Sequence, residues 1–154
     1  MKHSALQDEN CSIARTLAVL GERWTLVILR QAFMGRRRFD DIQRDLGVAR
    51  NILTERLGTL VAEGILERRR YLERPPRDEY RLTQKGRDLY PVLISLMQWG
   101  DRYTAGESGP PLRLVHLTCG HETNPAFVCS HCGDAMDPRE VRPEPGPGVL
   151  AGAT

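Results

Sequence analysis

The chain lacks any apolar stretch long enough to cross a bilayer. Its longest aliphatic run, Leu26 to Leu29, is far below the roughly 20 residues that a spanning helix needs. Its first ten residues are polar and hold no apolar segment of the kind a secretory leader carries, so the expected location is the cytoplasm. There is no Walker-type loop, no nucleophile elbow and no dinucleotide-binding glycine fingerprint. No repeat of domain size occurs. Net charge is small, +2 over 154 residues. These absences remove the sequence signals of a membrane protein, a repeat array and the common nucleotide-dependent or hydrolytic enzymes. An enzyme is not expected.

What is present suits a soluble globular chain: 40% hydrophobic and 27% charged residues, enough for one compact domain and a small appendage. The charge is unevenly placed. Residues 36–87 hold 14 Lys and Arg against 9 Asp and Glu, a net of +5, which leaves −3 for the rest. A basic middle with acidic flanks is a footprint for a polyanion. The four cysteines are Cys11, Cys119, Cys129 and Cys132. Without a leader, metal or redox chemistry is a better reading of them than a disulfide framework.

Periodicity divides the chain. Ser12 opens a first helix reaching Leu20, with Ile13, Leu17 and Leu20 at helical spacing. A second helix covers 23–34, where Trp24, Val27, Ile28 and Leu29 give a wide apolar face. Arg36, Arg37 and Arg38 form a basic linker. A short helix over 40–46 carries two Asp in its first turn, which the helix dipole favours. Gly47 and Val48 turn tightly into a longer helix, 49–63, with Leu53, Leu57, Leu60 and Val61 on one side.

The period then drops to two. Residues 65–72 and 78–82 read as paired strands, Tyr80 and Leu82 alternating with Glu79 and Arg81. Residues 73–77, with Pro75 and Pro76, form the exposed tip. Thr83 caps a long helix over 84–103, kinked near Pro91. Its apolar face, from Leu89 through Trp99 to Tyr103, is broader than a monomer of this size needs. Paired with the first helix it predicts a two-fold dimer.

The expected fold class is therefore mainly α within α+β: a winged helix-turn-helix with a long C-terminal dimerisation helix and a small zinc-ribbon-like appendage. The expected organisation is a flexible N-terminus over 1–10, the DNA-binding and dimerisation domain over 11–105, and a linker over 106–111. The zinc-ribbon-like segment follows over 112–142, and 143–154 form a disordered tail.

A helix about 10–12 Å across fits the major groove, which is about 12 Å wide. If Leu53, Leu57 and Leu60 lock the 49–63 helix to a core, Arg50, Asn51, Thr54 and Glu55 face outward. Arg50 and Asn51 stand at the end that enters the groove in such motifs; Arg pairs with guanine and Asn with adenine. Arg56 is a further candidate, for phosphate or for a nearby acid. Arg74 and Arg77 flank the tip prolines, and Arg36, Arg37 and Arg38 precede the motif. All five are candidates for backbone phosphates, which set register rather than sequence choice.

These residues resemble the HxlR-type winged-helix regulators. The resemblance runs from Cys11 to Gly100. It rests on Leu20-Gly21-Glu22-Arg23-Trp24-Thr25, Arg38-Phe39-Asp40-Asp41-Ile42 and Leu53-Thr54-Glu55-Arg56-Leu57. It continues in Glu63-Gly64-Ile65-Leu66-Glu67-Arg68, Tyr80-Arg81-Leu82-Thr83-Gln84-Lys85-Gly86 and Trp99-Gly100. The resemblance implies a sequence-specific transcriptional regulator that represses or activates nearby genes, repression being the expected sign, binding double-stranded DNA at an inverted repeat as a homodimer. It also implies response to an electrophile, an oxidant or a small ligand, with Cys11 as the candidate redox sensor. A helix N-terminus can lower a thiol pKa, although Asp8 and Glu9 beside Cys11 oppose a thiolate. Alternatively Cys11 is a small apolar residue. One departure is Ala49, where the family often has a capping Ser.

Near the C-terminus two short patterns echo each other: His116-Leu117-Thr118-Cys119-Gly120 and Cys129-Ser130-His131-Cys132-Gly133. Two ligand types separated by two residues and followed by Gly make a zinc-ribbon knuckle, and four S/N ligands would close a structural zinc site. The set read from the sequence is His116, Cys119, Cys129 and Cys132, with His121 the alternative to His116. A redox dithiol at Cys129 and Cys132 is the competing reading. Two other functions stand beside the regulator: a zinc-ribbon adaptor for protein or RNA, and a thiol or zinc enzyme.

Overall fold

The computed structural model describes residues 6–150. From Ser12 on, the described chain forms α1 (Ser12–Leu20), α2 (Thr25–Phe33), α3 (Phe39–Leu46) and α4 (Arg50–Ala62). A hairpin of β1 (Leu66–Glu73) and β2 (Pro76–Leu82) follows, then a one-turn helix α5 (Gln84–Arg87) and the longer α6 (Tyr90–Thr104). A second hairpin, β3 (Leu114–His116) with β4 (His121–Thr123), and a terminal turn α7 (Pro147–Leu150) complete the described chain.

The helices are amphipathic for the reason the leucine spacing implies. Leu20, Ile28 and Leu29 meet Ile42, Leu53, Leu57, Leu60, Ile65 and Leu66 in one buried cluster. Burying a side chain of this size stabilises by about 1.5–3 kcal/mol. Asp40 and Asp41 lie in the first turn of α3. Gly47 ends α3 in the left-handed region, φ 62°, and its N–H donates to the Gln43 carbonyl at 2.8 Å. That turn sets α3 against α4.

β1 and β2 are antiparallel, pairing Leu66 with Leu82 through to Glu73 with Pro76, with an irregularity between Arg70 and Leu72. Arg74 and Pro75 alone make the tip, so Pro76 begins a strand instead of belonging to the loop. Proline is tolerated there because this ribbon is all edge. Arg38 adds an antiparallel bridge to Glu79, and the Tyr80 N–H donates to the Arg37 carbonyl at 2.7 Å. The basic linker is thereby fastened to the wing at Arg37 and Arg38.

The helix expected over 84–103 is two helices. Thr83 does cap, its Oγ accepting from the Gly86 N–H at 3.1 Å, but α5 stops at Arg87. Pro91 has no N–H for the Arg87 carbonyl and its ring would strike that carbonyl in a continuous helix. In the observed arrangement Pro91 sits in the first turn of α6, where its missing donor costs nothing. The tail expected to be disordered contains the turn α7; residues 151–154 lie outside the described residues, as do residues 1–5 of the expected flexible N-terminus.

The chain divides into two compact units, Met1–Leu93 and Ile94–Thr154. The division falls inside α6, not at the expected linker. The body of α6 belongs with the appendage because Gln98 Nε2 donates to Asn124 Oδ1 and to the Pro125 carbonyl. No described helix is long and apolar enough to cross a membrane.

Candidate nucleic-acid interface

Leu53, Leu57 and Leu60 are fully buried, so α4 is fixed by one face. Arg50, Asn51, Thr54 and Glu55 are all exposed on the rest of it. Ala49 occupies the N-cap with no side-chain hydrogen bond, leaving the first amides of α4 without a side-chain acceptor. The Arg50 side chain is 71% exposed and lies 3.7 Å from Asp40, itself 82% exposed. So open an ion pair contributes little, and a phosphate or base can replace the carboxylate. The Arg50 guanidinium also lies 4.7 Å from the centre of the Phe39 ring, which holds the stem in place without using its donors. Thr54 donates its hydroxyl to the Arg50 carbonyl at 2.8 Å, so its proton is already engaged.

Of the two readings of Arg56, phosphate or a nearby acid, the structure shows the acid. Its side chain is only 16% exposed and pairs with Glu22 at 3.0 Å. It ties the loop before α2 to α4. Arg36 is exposed but donates Nε to Asp45 at 2.6 Å. Arg37 is exposed, and Arg38 lies over the Tyr71 ring at 4.8 Å. Arg74 and Arg77 are exposed at the tip.

The structure adds cations that the sequence reading did not single out. Arg68 and Arg70 both donate to Asp78, Arg68 Nε at 2.7 Å and Arg70 Nε at 3.2 Å. Arg69 pairs with Glu67 at 2.8 Å. The Arg68-Arg69-Arg70 run was the available signal; its position on a wing strand gives it meaning. Arg37, Arg69, Arg81 and Arg87 line a cavity of about 710 Å³ beside Phe33 and Tyr80.

The Asp78 carboxyl is held below the usual carboxylate range, chiefly by its hydrogen bond from Arg68 and also by Arg70. A depressed pKa contributes stability above the unfolded-state pKa of about 3.9 that is lost as pH falls through the folded value. The wing is therefore expected to loosen in acid below about pH 4, seen as faster amide exchange in β1 and β2, and Asp78→Asn should remove that acid-sensitive part.

The cysteine segment is built from two like turns. The Gly120 N–H donates to the His116 carbonyl at 2.7 Å, and the Gly133 N–H to the Cys129 carbonyl at 2.9 Å. Both glycines take positive φ, 74° and 82°, a region open to glycine at little cost. His116 Nδ1 lies 3.3 Å from Cys119 Sγ. The His131 N–H donates to Cys129 Sγ at 3.4 Å. Backbone donors from Cys132 and His131, with the Cys132 side chain, lower the Cys129 pKa. His121 faces His116 across the β3–β4 register. The structure thus delivers the expected ligands as two pairs; among the described residues no three His, Cys, Asp or Glu side chains converge. Cys11 is an exposed free thiol at the N-cap of α1.

Comparison with known proteins matches this architecture. The sequence profile of the HxlR-like helix-turn-helix family fits residues 19–108. The uncharacterized HTH-type transcriptional regulator Rv3095 of Mycobacterium tuberculosis strain H37Rv is 50% identical over 143 residues, covering 93% of this chain and 90% of that protein. The crystal structure of PA1607, a candidate transcription factor, superposes with a TM-score of 0.82 at 34% identity, over 91% of this chain and 98% of the other. The redox regulator HypR in its reduced form gives a TM-score of 0.56 at 32% identity, covering 60% of this chain and 92% of its own.

Proposed function

Since the chain belongs to the HxlR-like helix-turn-helix family, a family of transcription regulators and not of enzymes, we propose that it represses its target genes by binding an inverted-repeat operator as a homodimer. The observation that carries this reading is the pair Arg50 and Asn51 at the exposed start of a helix whose other face is fully buried. A base contact of this kind discriminates by about 1–3 kcal/mol. Arg37, Arg38, Arg74 and Arg77 are the proposed phosphate contacts around it.

The homodimer rests on two apolar faces that one chain leaves open: Ile13 and Leu17 on α1, and Leu96, Trp99 and Tyr103 on α6. Exposed apolar side chains grouped on one helix face suit an interaction surface. A two-fold dimer would set its recognition helices one DNA turn apart, about 34 Å. HypR is described as a redox regulator, and Cys11, exposed and unpaired in any disulfide, is the residue proposed to give this chain a comparable response.

The test is fluorescence-anisotropy titration of DNA from the protein's own genomic neighbourhood. Arg50→Ala is expected to weaken specific binding by about 5- to 150-fold, with the unfolding transition unchanged because Arg50 is not part of the core. Equal binding by both proteins would remove Arg50 from the interface. No preference of the wild-type protein for any such DNA over random duplex would overturn the regulator assignment at these genes.

A further inference from the structure

We propose that His116, Cys119, Cys129 and Cys132 bind one zinc ion that closes the appendage as a structural site. The first support is the repetition of a whole turn. In both turns the first and fourth residues are ligand types, the fifth is a positive-φ glycine, and the glycine N–H returns to the carbonyl of the first residue. A hairpin needs only one such element; two with the same ligand positions suit two halves of one site.

The second support is distance. Zn–S and Zn–N bonds of about 2.3 and 2.05 Å at a tetrahedral angle put the two donor atoms about 3.6 Å apart. His116 Nδ1 and Cys119 Sγ are 3.3 Å apart, within a few tenths of that edge. Cys129 Sγ already accepts a backbone N–H from His131, the kind of outer hydrogen bond that orients a ligand.

The third support is that this segment has little else to hold it. Among the described residues none of the buried core lies beyond Ile94, whereas Leu117 is 92% exposed and Val115 and Phe127 are also exposed. The described cysteines form no disulfide. Small segments without a core are generally held by a metal or a cross-link. Three thiolates and an imidazole select zinc over magnesium or calcium, and four protein ligands leave no position open for catalysis. Since the two pairs do not yet converge, ion binding and closure of the two turns are one event.

Cobalt(II) is a suitable probe, titrated into metal-stripped, reduced, full-length protein. The expected result is one equivalent per chain, with the visible bands of tetrahedral cobalt and a thiolate charge-transfer band, both displaced by zinc. The double variant Cys129→Ser, Cys132→Ser should lose the signal and keep the helical circular dichroism of the first unit. His116→Ala should weaken binding and shift the bands, while His121→Ala and Cys11→Ser leave them unchanged. Zinc should also slow proteolysis within residues 112–142. Absence of a stoichiometric tetrahedral spectrum, or a Cys129–Cys132 disulfide forming in the presence of the ion, would overturn the proposal. Loss of signal with His121→Ala instead of His116→Ala would overturn the assignment of His116.

Discussion

Leu57→Ala is expected to lower the unfolding free energy by about 2–5 kcal/mol. Leu57 is fully buried between Leu53 and Leu60 on the face that fixes α4. Removing its branched end forfeits transfer energy and leaves a cavity lined by side chains from several helices. The measurement is urea denaturation followed by circular dichroism, at one protein concentration so that assembly does not shift the midpoint. DNA binding should fall with it, because the helix that presents Arg50 loses its anchor. The contrast with Arg50→Ala is the informative part: one variant loses binding through stability, the other at unchanged stability. A Leu57→Ala variant as stable as the parent would mean that α4 is held by something other than its leucines.

The second large effect is expected from Gly86→Ala. A Cβ placed on Gly86 would lie 2.2 Å from the Ile65 carbonyl oxygen and 3.0 Å from Leu82 Cδ2. The first is backbone at the start of the wing, so the clash cannot be relieved by a rotamer. The same corner is fastened by Thr83, whose hydroxyl donates to the Gly64 carbonyl at 2.6 Å and accepts from the Gly86 N–H. Overpacking of this kind costs about 1–3 kcal/mol or more, and here it should also spread β1 from α5. Gly58→Ala is the control. Gly58 lies inside α4 with open space where its Cβ would be, so alanine there should stabilise by about 0.5–1 kcal/mol. Both are read from the same denaturation curves; a Gly86→Ala variant of parental stability would mean that the corner yields freely.

The parts of this fold legible in the sequence are those written in local spacing. Leu53, Leu57 and Leu60 recur at the helical period, so the buried side of α4, and hence the exposure of Arg50 and Asn51, follow from the chain itself. The same holds for Thr83 as a cap and for the two glycine-closed turns at Gly120 and Gly133. What the sequence hides is long-range pairing. Arg56 belongs to Glu22, and no spacing rule links them. Arg38 joins the wing by an isolated bridge to Glu79, which fastens a basic linker to the hairpin. The break between α5 and α6 was partly visible: Pro91 announced a disturbance, but only the location of the Arg87 carbonyl shows that the helix must stop and restart. The boundary inside α6 was also hidden, because Gln98 reaches Asn124 and Pro125 from a helix that reads as part of the first domain.

The pairing of arginines with acids has a consequence for how this protein meets a nucleic acid. Arg36, Arg44, Arg50, Arg56, Arg68, Arg69, Arg70 and Arg81 each lie within reach of a carboxylate. Association with DNA draws its ionic-strength dependence from small cations shed by the phosphates that protein charges neutralise. A guanidinium that keeps its acid neutralises no phosphate, and one that abandons it leaves a carboxylate facing the duplex. The basic middle of the chain is thus a weaker electrostatic lure than its arginine content suggests, and under the proposed docking choice among sites falls more heavily on the exposed start of α4.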